Sequence, residues 1–196
     1  MASPDLHVIR SLPRRGFTDH ALFGMAVFVF TEIMLFAGFI SAYVIVRNSV
    51  PPGLWPPADQ PRLPFERTAF NTAALLASGV LVWVAHRAVT RRGPTAARGP
   101  LTLGLVLGAL FVVLQGAEWV SLLRQGLTLS SSQVGSFFYL IIGAHALHVV
   151  CALGILAWCW SGLLTGTFRP SRFGAAQLLW YFVVLVWPVL WLVVYR

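Results

Sequence analysis

The sequence predicts an all-α membrane protein: a bundle of five transmembrane helices, with the N-terminus in the cytoplasm and the C-terminus in the periplasm. Three observations carry that prediction. Hydrophobic residues fill 58% of the 196 positions and charged ones 10%, with a mean hydropathy of +0.78, a balance that excludes a soluble domain. Five apolar stretches reach the roughly 20 residues needed to cross the hydrocarbon core, at about residues 22–46, 69–89, 101–122, 134–160 and 173–195. All 14 basic residues are arginine, concentrated before the first stretch, between the second and third, and between the fourth and fifth. The positive-inside rule assigns those segments to the cytoplasm.

Residues 1–18 are polar, hold Pro4 and Pro13 and show no helical period, so they are read as a cytoplasmic tail; residues 19–196 form the transmembrane domain. The first span, Leu22 to Val46, carries Glu32 near its middle. It far exceeds the roughly 7–15 apolar residues of a signal-peptide core, so this helix is expected to stay in the mature protein. The loop that follows contains Pro51-Pro52-Gly53-Leu54-Trp55-Pro56-Pro57, a stiff extended segment with a tryptophan suited to the outer interface. The second span is free of charge from Ala69 to Ala85, with Asn71 at its start and Arg87 left to snorkel at its end.

Small residues mark expected helix seams: Ala73, Ala77 and Ser78 on the second span, Gly104 and Gly108 on the third, and Gly135, Gly143, Ala144 and Ala146 on the fourth. Cys151 and Cys159 lie on the fourth span without Cys-x-x-Cys spacing, so they are read as small apolar packing residues and not as a disulfide or zinc pair. Trp187-Pro188 is expected to kink the fifth helix. Trp158, Trp160, Trp180 and Trp191 are expected to form interface belts. The net charge of +8 is split among short membrane-flanking loops, which suits topology and lipid headgroups and excludes nucleic acid as a partner.

The chemistry-bearing residues at membrane depth are few: Glu32, Glu118, His145 and His148, with Asn71, Gln115 and Gln177 uncharged. An ionisable group in the bilayer costs about 2.5–3.5 kcal/mol even on the lenient insertion scale, so each needs a partner. At about 1.5 Å per residue from the cytoplasmic end, Glu32 lies about 15 Å deep, His148 about 18 Å, His145 about 22 Å and Glu118 about 26 Å. Depth therefore pairs Glu32 with His148 and Glu118 with His145, with lipid headgroups as alternative partners. His145-x-x-His148 shares one helical face, the spacing of a metal pair. The remaining ligands are missing: Leu35 and Ser121 stand three residues after Glu32 and Glu118, where a di-iron bundle would place histidine. Two histidines on one face cannot be opposed haem ligands, and no Cys-His-Met set suits copper. No metal, cofactor or catalytic residue is expected in this chain, and the histidines are read as buried, hydrogen-bonded groups, with proton handling as the sharper alternative.

Five strings then carry a resemblance: Thr31-Glu32 through Tyr43, Phe70-Asn71 through Gly79, Leu114-Gln115-Gly116-Ala117-Glu118-Trp119, Gly135-Ser136-Phe137-Phe138-Tyr139 and Gly143-Ala144-His145-Ala146-Leu147-His148-Val149. In order and spacing they resemble subunit III of haem-copper terminal oxidases in its five-helix bacterial form, over about residues 19–195, with Trp55-Pro56-Pro57 as a further match. The resemblance implies an accessory subunit without a redox centre, in a bacterial inner membrane. Such a subunit packs on the catalytic subunit I beside subunit II, holds phospholipid, supports proton uptake and protects the active site during turnover. Haem and copper are then expected in the partner subunits, and a small subunit IV or a larger respiratory supercomplex are further partners. Glu32 matches the family's membrane-embedded glutamate, His145 and His148 its paired histidines, and Glu118 its Gln-x-x-Glu glutamate. The best-known members have seven helices, and this chain starts at what would be their third. Their closing Trp-His-Phe-x-Asp reads here Trp180-Tyr181-Phe182-Val183-Val184, without the histidine and the acid. The alternatives are the same scaffold serving a quinol oxidase or nitric oxide reductase, or an independent five-helix transporter.

Overall fold

The computed structural model describes residues 16–51, 65–130 and 133–195. Most of the N-terminal tail, and the proline-rich loop with Trp55, lie outside the described residues. Five helices follow in order: α1 Gly16–Ser49, α2 Phe65–Arg92, α3 Arg98–Arg124, α4 Gln133–Thr165 and α5 Pro170–Val194, with a 3₁₀ turn Pro94–Ala97 between α2 and α3. Each contains one expected span, and all five are long and apolar enough to cross a membrane. The helices overrun the apolar spans because polar residues at the membrane edges, such as Glu66, Arg91 and Arg92 of α2, remain helical.

Helices α2, α3, α4 and α5 form a closed group in which α2 meets α3 and α5, and α4 meets α3 and α5. Helix α1 lies outside it, packed mainly on α5 and more lightly on α4. Only 11% of the apolar window of α1 is buried, against 50% in α5, so α1 is the peripheral helix and α5 the central one. The inward stripe of α1 runs through Met25, Val29, Glu32, Phe36, Ile40 and Tyr43, steps of three and four that keep one face toward the bundle. Glu32 is thus carried on the packed side, while Phe23, Phe30, Met34 and Ile45 face outward.

Close approaches depend on small residues, though not on all those expected. Ser78 Oγ donates to the Gly104 carbonyl at 2.8 Å, joining α2 to α3. A Cβ built on Gly108 would stand 2.8 Å from Trp180 Cη2, so this glycine is the notch that admits the indole. That notch corrects the belt reading of Trp180, which is 0% exposed in the core. Of the other belt residues Trp158 is exposed, while Trp160 and Trp191 are half-buried. Ala73 and Ala77 face outward and mark no seam within the chain; of the three residues expected there only Ser78 faces inward, together with Gly79. Both cysteines are free, with Cys159 buried and Cys151 exposed, so only Cys159 packs as expected. Helix α5 continues through Pro188.

Candidate functional site: two polar clusters inside the bundle

The first cluster joins the peripheral helix to the bundle. Glu32 Oε2 on α1 lies 3.0 Å from His148 Nε2 on α4, with both side chains about 15% exposed. His148 Nδ1 lies 2.7 Å from the Ala144 carbonyl, an acceptor that fixes a proton on Nδ1. Nε2 is thus the ring nitrogen presented to the carboxylate, and a carboxylate carried into a membrane bundle needs such a partner. Phe36, 2% exposed, stands edge-on to both histidine rings, at 5.6 Å from His148 and 6.3 Å from His145. It screens the pair from the bundle interior.

The second cluster ties α2, α3 and α5 together near the end of α3. Thr68 Oγ1 donates to Glu118 Oε2 at 2.9 Å, and the Tyr195 hydroxyl donates to Glu118 Oε1 at 2.8 Å. Gln115 Nε2 donates to the Tyr195 oxygen at 3.1 Å, and Asn71 Nδ2 donates to Gln115 Oε1 at 3.2 Å and to the Phe111 carbonyl at 3.3 Å. One turn along α2, Thr72 Oγ1 donates to the Thr68 carbonyl and accepts from Trp187 Nε1, at 2.7 and 2.8 Å. Each carboxylate oxygen of Glu118 thereby has a hydroxyl donor. The Tyr195 hydroxyl, donating to Glu118 and accepting from Gln115, is engaged on both sides.

Depth arithmetic paired Glu32 with His148 correctly and Glu118 with His145 incorrectly. The rotation of α3 turns Glu118 toward α2 and α5, where Thr68 and Tyr195 reach it first. His145 instead stacks on Trp187, ring centroids 5.0 Å apart and 28° between planes. It is 1% exposed, and neither ring nitrogen has a hydrogen-bond partner among the described residues. The expectation of a hydrogen-bonded histidine holds for His148 and fails for His145. Asn71, expected only as an uncharged polar group at membrane depth, is buried and bonded to Gln115. Thr68, Thr72 and Tyr195 went unrecognised because uncharged hydroxyls at span ends carry no hydropathy signal. At the two positions where the resembling family has a histidine and an acid, Tyr181 accepts a hydrogen bond from Gln177 Nε2, and Val184 packs beside Gly79. Among the described residues no three of the His, Cys, Asp and Glu side chains are grouped as metal ligands would be.

Fold and site together define a multi-pass membrane bundle whose buried polar groups are mostly engaged with one another. The sequence profile of cytochrome c oxidase subunit III matches residues 15–196. The chain is 36% identical over 180 residues to cytochrome c oxidase subunit 3 of Petromyzon marinus and 35% identical over 182 residues to that of Gallus gallus. Both matches cover 88% of the chain and 68% of the relative. The chain belongs to the cytochrome c oxidase subunit III family and is thereby part of an oxidase complex.

Proposed function

We propose that the chain is the accessory, non-redox subunit III of a bacterial haem-copper cytochrome c oxidase, seated in the inner membrane with its N-terminus in the cytoplasm. It braces the catalytic subunit I beside subunit II, retains phospholipid and supports proton uptake, while haem and copper reside in those partners. The observation that carries this reading is the Glu32–His148 pair, which pins an otherwise peripheral helix to the bundle. Helix α1 keeps a wide apolar face outward, suited to lipid or to a neighbouring membrane subunit, and the pair fixes the orientation in which that face is presented. The arginine distribution supports the orientation.

The test is Glu32→Ala in the assembled oxidase. Electron transfer is expected to begin at the normal rate, then decay in fewer turnovers, with less phospholipid retained after purification. A variant with unchanged active lifetime and unchanged lipid content would overturn the role given to Glu32.

A further inference from the structure

Between α3 and α4 lies a cavity of about 160 Å³ whose lining includes Gln115, Trp119, His145 and Trp187. Two polar side chains on this lining lack partners: neither ring nitrogen of His145 and not the Trp119 Nε1 group is hydrogen-bonded among the described residues, although all three atoms are buried. Buried donors and acceptors are almost always paired. The two side chains line the same void, from opposite helices.

We propose that this cavity is a water site, holding ordered water between Trp119 on α3 and His145 on α4. The chemistry of the donors selects the guest. A neutral imidazole offers one N–H and one bare nitrogen, and an indole offers one N–H. The guest must therefore accept from Trp119 and donate to the bare nitrogen of His145, which water does with a single molecule. Gln115 supplies a third partner, because its carboxamide oxygen keeps a second lone pair beside the one Asn71 uses. Two to four polar partners and room for at least one molecule are the conditions under which buried cavities hydrate, and about 30 Å³ per molecule leaves ample space here. The rest of the lining is apolar, including Phe111, Ile142 and Val149, which confines water to the polar end. At this height no hydrogen bond joins α3 to α4 among the described residues; the bonds from Arg98 to the Leu163 carbonyl and from Trp160 to Thr102 lie near the start of α3. The water thus links α3 to α4 in mid-span and extends the Gln115–Tyr195–Glu118 network to His145.

The experiment is solid-state NMR of the full chain in its native membrane assembly with ¹⁵N-histidine, His145 assigned by loss of its signals in His145→Phe. The expected result is a neutral ring whose bare nitrogen receives polarisation from water protons and loses it in D₂O. Ala146→Leu, which fills the cavity from α4, should abolish that transfer while leaving the His148 signals in place. Gly116→Leu, where an added Cβ meets nothing within 4 Å, fills it from α3 and serves if the first variant fails to assemble. Absence of water transfer to His145, transfer from lipid acyl protons in its place, or water transfer that survives filling would each overturn the proposal.

Discussion

Gly108→Ala tests the closest approach made at any described glycine. The added Cβ would lie 2.8 and 2.9 Å from two carbons of the Trp180 ring and 3.0 Å from Leu153 Cδ1, whereas carbon atoms rest about 3.5–4.0 Å apart. Trp180 is 0% exposed and has no free direction to retreat, so α3 must move off by about 0.7 Å to restore that spacing. Overpacking of this kind costs about 1–3 kcal/mol. Alanine also favours a helix over glycine by about 1 kcal/mol, so the absolute change mixes two effects. Gly104→Ala removes the ambiguity, because it carries the same helical gain while its Cβ would meet Val82, Leu81 and the Ser78 carbonyl at ordinary distances of 3.4–3.5 Å. The difference between the two variants, about 1–3 kcal/mol, is then the clash alone. At about 2–4 °C per kcal/mol for a chain of this size, the Gly108 variant should melt several degrees below the Gly104 variant in a thermal scan of the purified assembly. Equal melting temperatures would refute the notch.

For the Glu32–His148 pair, a double-mutant cycle with Glu32→Ala and His148→Phe should give a coupling of about 0.6–1.7 kcal/mol, from the average to the maximum found for polar contacts between membrane helices. An additive cycle would deny the contact. Trp187→Phe removes the donor to Thr72 and should lower stability by about 1 kcal/mol, with Thr72→Val adding little once Trp187 is gone; full additivity would count against the bond. Tyr195→Phe removes one of the two hydroxyl donors to Glu118 and should lower stability by about 1–3 kcal/mol, the cost of leaving a buried acceptor short of a partner; unchanged stability would contradict the buried Tyr195–Glu118 bond.

The five spans were legible because a membrane demands about 20 apolar residues in a row, a constraint that single residues express directly. Glu32 with His148 was legible for a similar reason: counting residues gives depth, and these two lie at nearly the same depth. Counting gives no azimuth, and that is why Glu118 was matched to His145 when Thr68 and Tyr195 are its partners. Trp180 illustrates the same gap. Tryptophan is at home in an interface belt, and nothing near it in the chain announces that Gly108, from another helix, opens a space for its ring. The outward turn of Ala73 and Ala77 likewise depends on which face of α2 meets α3. The sequence also offered no sign that His145 would be buried against Trp187 without a hydrogen-bond partner, since its neighbour three residues on is fully engaged.

The measurement closest to the central claim is purification of the tagged chain from its native membrane in mild detergent, with an optical spectrum and identification of the proteins that accompany it. The account predicts haem absorption and recovery with a haem-copper catalytic subunit and a copper-bearing subunit II. Isolation of a stable, haem-free single chain would contradict it.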